Sequence, residues 1–480
     1  MRNTTKLLAL VGVTLLVPQV GCNDPLRVTI PDIVQPGQLS DSAALGTVRA
    51  GAIGDFAIAY TGDHPDGSGG TEGVIMYGGL LADEWINSET FPTRIEVDAR
   101  TIQLTNADVD LWFRRMHQSR HSAENAAGRY GAFAPHDPGY AESLTLAGYT
   151  YIFFAETWCS GVPVSQLTPA GQIIYGQPLT TAQMLDTAIA RFDSALAAAA
   201  VIDTTGLTAS ARAEKKGIQK NRLDFASVGK ARALIDLGQF ANAATVAATV
   251  ADSFAYLEEH SETTDRQNNG VFNGNFTDGR YAVADSEGGN GFLFRSRPDP
   301  RTPFFDGGAG FDGSTVLWSQ QRYGSRKASI TVATGVEARL IQAEAALKAG
   351  DTLAAGGFYT QLNTPRTSSQ RSYFDPTGAA PIGPMSALSP TDATAAGGAV
   401  NLLFAERARW LWLTAHRLGD LRRLVRPIAN GGYQRPADTV FPTGPYFKVN
   451  FTNYGVDVNF PVPVTEKNNP NFTACLDRNP

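Results

Sequence analysis

Apolar residues recur at alternating three- and four-residue steps in stretch after stretch of this chain, and that period commits most of it to α-helix. Leu45, Val48, Ala52, Phe56 and Ala59 form one stripe, with Ser40 or Asp41 placed to cap it. A helix from Asp108 to Tyr130 would turn Trp112, Met116, Ala123 and Ala127 inward. Leu144, Ala147, Tyr151, Phe154 and Trp158 make a third stripe. A fourth opens with Thr180-Thr181-Ala182-Gln183, a reciprocal capping pattern, and runs through Leu185, Ala188, Phe192 and Ala195. Two helix pairs follow: Asp224 to Leu237 with Phe240 to Tyr256, and Val336 to Ala349 with Asp351 to Leu362. They break at Gly238 and Gly350. The last helix is predicted as one piece from Leu402 to Val425, striped by Phe404, Ala408, Leu411, Ala415 and Leu418.

Between these helices lie long polar, glycine-rich tracts over Thr61 to Glu72, Glu258 to Ala328 and Asn363 to Gly398. They are rich in aromatic residues, which general disorder disfavours, and the chain is 43% hydrophobic. Structureless loops of this length tend to be functional. The predicted fold is therefore mainly α, a helical scaffold carrying long irregular insertions. Net charge is −6, and no basic stripe marks a nucleic-acid binder.

The N-terminus reads as an export signal. Arg2 and Lys6 precede an apolar run from Leu7 to Val17, too short to span a bilayer but of signal-peptide length. Val20-Gly21-Cys22 follows, a small residue before a cysteine that can take lipid, although Gln19 stands where leucine is usual. Residues 1–21 are read as the signal, Cys22 as the lipidation site, 22–40 as a tether and 41–480 as one helical domain. Lipid would then be the only membrane anchor. Cys159 and Cys475 are left, either as a disulfide in an oxidising compartment or as two buried thiols.

Small residues in Ala226-Ser-Val-Gly229-Lys-Ala-Arg-Ala233, then Gly238 and Ala243-Ala-Thr-Val-Ala247, resemble a tetratricopeptide unit. Ala343 to Ala355 around Gly350 resembles a second copy, so hairpins are expected near 224–256 and 336–362. With four further segments the whole resembles the SusD/RagB family. Ala147 to Val164 matches its helix running into a Gly-Val-Pro turn. Ala338-Arg339 with Glu344 and Gly350-Asp351 matches its mid-chain hairpin. Glu406-Arg407 with His416-Arg417, Asp420-Leu421-Arg422 matches its signature helix, though Ala415 replaces a usual glycine. Phe460-Pro-Val-Pro463 with Glu466 and Asn469-Pro-Asn471 matches its C-terminal motif, within a special C-terminal region over 363–480. The resemblance implies an outer-membrane lipoprotein, facing the cell exterior, that captures glycans or oligosaccharides for a SusC-like TonB-dependent transporter. Peptide capture, or a tetratricopeptide-like scaffold with no nutrient ligand, are the alternatives.

Motifs that carry chemistry are few in this sequence. There is no Gly-x-Ser-x-Gly elbow, Walker loop or His-Glu-x-x-His, so no enzyme and no catalytic residue is expected. His117 and His121 have metal-ligand spacing, but Arg114, Arg115 and Arg120 crowd them and no metal site is assigned. Gly307 to Thr315 carries one copy of a calcium nonapeptide that works only in repeats. No cofactor is expected; calcium on the Asp-rich loops stays unassigned. A structural ion network is expected from Glu406, Arg407, Arg409, His416, Arg417 and Asp420, with Glu406–Arg409 and His416–Asp420 as helical pairs. For ligand contact the loop aromatics are the candidates, Trp85 and Trp318 first, with Asp83, Asn87, Phe305, Arg322 and Tyr323. Trp112 and Trp158, on helical stripes, are expected in the core.

Overall fold

Helices dominate the described residues from Leu45 to Val425. They are α1 (Leu45–Thr61), α2 (Val74–Leu81), α3 (Pro92–Asp98), α4 (Ala107–Phe133), α5 (Pro138–Thr157), α6 (Thr181–Ala200), α7 (Ala209–Asp236), α8 (Phe240–Ala247) and a short α9 (Gly270–Phe272). After them come α10 (Gly335–Lys348), α11 (Phe358–Thr367), α12 (Pro390–Ala395), α13 (Ala399–Trp410) and α14 (Arg417–Val425). A computed structural model describes residues 42–63, 72–168, 171–368, 384–448 and 451–480. The signal over 1–21, Cys22, the tether over 22–40 and the Ser40 or Asp41 cap lie outside the described residues. Among the described residues the strands form only two-stranded antiparallel pairs. No described helix is long and apolar enough to cross a membrane.

Local chemistry starts the helices where the sequence marks them. The Thr180 hydroxyl accepts from the Gln183 amide while Gln183 reaches back to the Thr180 N–H, the expected capping box. Asn106 caps α4 by accepting from the Val109 N–H. Gly238 turns α7 into α8 at φ +72°, a left-handed conformation that costs glycine little. Gly229 lets α7 approach α6, since a Cβ there would lie 2.5 Å from the Phe192 ring.

Packing order explains how two hairpins distant in sequence make one scaffold. α1, α4, α5, α6, α7 and α8 stack in succession, and α8 lies directly on α10, which pairs with α11. The stretch between α8 and α10 is thus an excursion from a continuing stack. Its base is closed by strand Ala255–Glu258 pairing with Ile330–Thr334. A single apolar cluster runs from Phe56 to Phe472. At its centre Trp112 lies 4.9 Å from Trp158 and 5.0 Å from Phe460, ring centre to ring centre. The Cys159 N–H donates to the Phe460 carbonyl, and the Phe460 N–H to the Thr157 carbonyl, both at 2.8 Å. Beside this clasp Cys159 and Cys475 are joined as a disulfide, which decides between the two states the sequence left open.

Four boundaries differ from the sequence expectation. α7 begins at Ala209 rather than Asp224, because its first half is polar and largely exposed and shows no stripe. α8 ends at Ala247, well short of Tyr256, which belongs to the strand closing the excursion. α11 starts at Phe358, after Gly356-Gly357, rather than at Asp351. The predicted helix from Leu402 to Val425 is two helices.

That break is built by donors from elsewhere in the chain. Leu413 and Ala415 sit at φ 55° and 60°, a conformation costing a non-glycine residue about 1–2 kcal/mol. Arg322 Nη1 donates to the Trp412 carbonyl (3.0 Å) and the Tyr323 hydroxyl to that of Leu413 (3.1 Å). The Tyr60 hydroxyl donates to the Thr414 carbonyl (3.0 Å) and Arg232 Nη2 to that of Ala415 (2.7 Å). Four successive carbonyls are satisfied by buried or half-buried side chains instead of by helix, so the bend leaves none of them without a hydrogen bond.

Candidate ligand-binding face

The excursion between α8 and α10 presents a hairpin, strand Phe304–Ala309 against Val316–Gln320. Phe305 pairs with Ser319 and Asp306 with Trp318, so alternation points Phe305 and Trp318 to opposite faces. Its end is pinned. The Phe311 N–H donates to the Gly279 carbonyl (2.9 Å), the Asp312 N–H to that of Ser88 (3.0 Å), and Lys448 Nζ bonds the Asp312 carboxylate at 2.6 Å. Burial would raise the Asp312 carboxyl, but Lys448 and the Thr315 amide and hydroxyl outweigh it and hold it well below the usual range. The Gly307 to Thr315 motif is thus a hairpin end whose Asp312 is engaged by protein groups.

Large apolar rings remain at the surface on this hairpin and beside it. Phe311 is 49% exposed, Phe91 44% and Phe305 39%. Phe91 and Phe311 lie 5.8 Å apart, and the Arg280 guanidinium sits 5.2 and 5.1 Å from their ring centres. Phe305 meets Phe276 at 5.8 Å, and Phe276 stacks on Phe272 at 4.8 Å. The exposed Asp306 carboxylate adds an acceptor. Flat apolar faces, one guanidinium and carboxylates suit the C–H faces and hydroxyls of a sugar. Phe91 and Phe276 were not singled out in the sequence. Phe91 stands just before Pro92 at the start of α3, and that position carries no signal of exposure.

The other candidates lie elsewhere, and four of them are corrected by burial. Trp85 is 1% exposed, in strand Trp85–Asn87 paired with Tyr281–Val283, its ring edge-on to Tyr281 at 6.2 Å. Asp83 grips Arg417 with both carboxylate oxygens and also accepts the Phe292 N–H at 2.8 Å. Asn87 is fully buried, accepting the Glu89 N–H at 3.0 Å. Tyr323 is fully buried under the α13–α14 break, and Arg322 is half-buried with a guanidinium nitrogen spent on Trp412. The polar residues flanking Trp85 are partners for buried groups, so they gave a false sign of exposure. Glu84 next to it accepts the Leu413 N–H at 2.9 Å, and burial pushes its carboxyl up to about 8. Trp318 is half-buried, with Arg295 over its ring at 4.7 Å and Phe304 against its edge. Of the seven positions, Phe305 is the one left open.

The Glu406 network is buried, and its shorter pairs reach beyond the predicted helical ones. The predicted Glu406–Arg409 pair is present at 4.0 Å, while Glu406 takes Arg301 at 2.7 Å and Arg366 at 2.9 Å. His416 does not pair with the Asp420 side chain; its Nε2 lies 3.0 Å from Glu337 on α10. Asp420 holds Arg407 at 2.8 Å and Arg423 at 2.7 Å, which outweigh burial and keep its carboxyl well below the usual range. Arg423 continues to Glu344 at 2.6 Å. Helical spacing suggested neighbours on one helix, whereas the bend turns these side chains toward other elements. His117 lies between the Phe113 and Phe154 rings, and burial pushes it well below its ordinary value. Among the described residues no group of three His, Cys, Asp or Glu could hold a metal.

No family model and no curated protein matches the sequence. Solved structures do resemble it. A SusD/RagB family protein from Bacteroides thetaiotaomicron superposes with a TM-score of 0.60 at 13% identity, over 88% of this chain and 94% of that one. A laminarin binding SusD-like protein gives 0.59 at 12%, over 91% and 99%. Surface glycan-binding protein A from Bacteroides uniformis gives 0.59 at 11%, over 90% and 99%. The likeness covers 88–91% of this chain, which therefore has the SusD/RagB fold.

Proposed function

We propose that this protein is a glycan-binding outer-membrane lipoprotein of the SusD/RagB family. It is anchored through Cys22, captures oligosaccharides at the Phe305–Phe311 hairpin and passes them to a SusC-like TonB-dependent transporter. The observation that carries the reading is the row of phenylalanines left exposed on a pinned hairpin, with Arg280 and Asp306 beside them. Large rings at a surface lose hydration with little rotamer entropy to spend, which favours stacking on sugar faces. The fold is shared with proteins described as laminarin binding and surface glycan-binding. Capture requires no bond to break, and the reading calls for no catalytic group and no cofactor. Handing over to a transporter requires that ligand favour one arrangement of the pair over another.

Titration calorimetry against a panel of neutral oligosaccharides and of peptides tests it. At least one sugar should bind, and Phe311→Ala and Phe305→Ala should each weaken it about tenfold, ~1.4 kcal/mol. Heat from peptides alone would replace glycan by peptide. Cys22→Ala should move the protein out of the membrane fraction.

A further inference from the structure

A second recess lies away from the aromatic face, between α13, α12 and the segments around Phe292 and Arg435. It is a cleft of about 600 Å³, within the range of small-molecule sites. Its walls carry six arginines and three carboxylates. Arg417 is neutralised from behind by Asp83. Arg301, Arg366 and Arg409 share two carboxylates, Glu406 and Asp299. The third carboxylate, Asp392, is engaged by the Ser389 N–H and hydroxyl as the cap of α12. Arg297 and Arg435 make no ion pair among the described residues. With Asp392 counted, the cleft keeps a net positive charge of two.

Part of this charge is desolvated: Arg409 and Arg435 are half-buried, while Arg297 is exposed. Burial, and then the neighbouring Arg301 guanidinium, push Arg409 below its ordinary value even with Asp299 and Glu406 close by. Burial does the same to Arg435. Cations crowded in this way gain most from an anion that replaces their lost water. Apolar walls accompany the charge: Leu293, Leu388 and Val440 line the cleft, and the Phe292 ring lies 5.0 Å from the Arg409 guanidinium. An inorganic ion would leave most of that volume empty.

We propose that the cleft binds the anionic groups of an acidic oligosaccharide, with Arg297, Arg409 and Arg435 as the contacts for its carboxylates or sulfates. The sugar part of this assignment rests on the glycan reading above; the charge part rests on the cleft. The full chain is titrated with trigalacturonate, a sulfated trisaccharide, a neutral trisaccharide and inorganic sulfate. The same titrations use the Arg297→Gln/Arg435→Gln variant, which removes no ion pair and so spares the fold. Acidic sugars should bind, about tenfold or more weaker in the variant, and weaker again as salt rises from about 0.05 to 0.5 M. Whichever acidic sugar binds more tightly names the anion. Neutral-sugar binding should be weakened about tenfold in Phe311→Ala and unchanged in the arginine variant. Equal affinity of variant and parent for acidic sugars would overturn the proposal. So would sulfate binding as tightly as the trisaccharides. Neutral binding with no acidic binding would overturn it and leave the aromatic face standing. Silence from every sugar would sink both readings.

Discussion

Arginine lies against an aromatic ring in two regions of this molecule, with opposite consequences. In the seam below α13 and α14, Arg301 lies 4.8 Å from the Trp410 ring centre and Arg423 5.4 Å from that of Phe404, and every one of these groups is buried. At the hairpin, Arg280 lies 5.2 Å from Phe91 and 5.1 Å from Phe311, and both rings are open to solvent. The pair chemistry is the same. What differs is whether carboxylates close the guanidinium's remaining valences. In the seam Glu406, Asp420 and Glu344 do so at 2.6–2.7 Å. At the hairpin the carboxylates nearest Arg280 stay at 3.5 and 3.7 Å. The seam is complete without a ligand, and the hairpin has bonding left to offer.

Breaking the seam should produce the largest effect. Arg423→Ala leaves Glu344 without its arginine and Asp420 with Arg407 alone, and is expected to cost about 3–5 kcal/mol, read by urea unfolding. A smaller, pH-dependent effect separates the hairpin's supports from its surface. Under the face, Asp98 accepts from the Asn87 N–H and the Tyr446 hydroxyl, yet burial pushes its carboxyl up to about 7. Such a group binds its proton more tightly when folded. Its contribution is full below the unfolded value near 4 and is lost as pH rises toward 7. Asp98→Asn should flatten the fall in stability between about pH 4 and 7. Ala415→Gly should relieve the left-handed strain at the seam's bend and gain about 0.5–1 kcal/mol. Smallest of all, Phe305→Ala and Phe311→Ala should move stability by less than about 0.5 kcal/mol while they weaken sugar binding. A large destabilisation there would make the rings structural and erase the contrast.

Periodicity in the sequence conveyed the scaffold because each stripe is a local record of burial. Trp112 and Trp158 on their stripes are in the core, and both hairpins fold near their predicted places. The break at Leu411–His416 was illegible because its cause lies in Tyr60, Arg232, Arg322 and Tyr323, far away in sequence. The Asp83 to Asn87 segment misled for the same reason: its polar residues serve partners that only the fold brings near. The exposed face was half visible, in Phe305 and the aromatic-rich tract around it. Phe91 and Phe276 became part of it only when the hairpin docked.

The disulfide gives the chain an unusual response to load. Cys159 and Cys475 are 316 positions apart, and the hairpin and the arginine cleft both lie in the covalent ring they close. Tension applied at the two ends would pass from one cysteine straight to the other. The helices before Cys159 could be drawn out while the ring stayed slack. An oxidised chain stretched to its limit should yield only ~3.4 Å for each residue outside the ring. Only a reductant would let force extend the residues between the two cysteines.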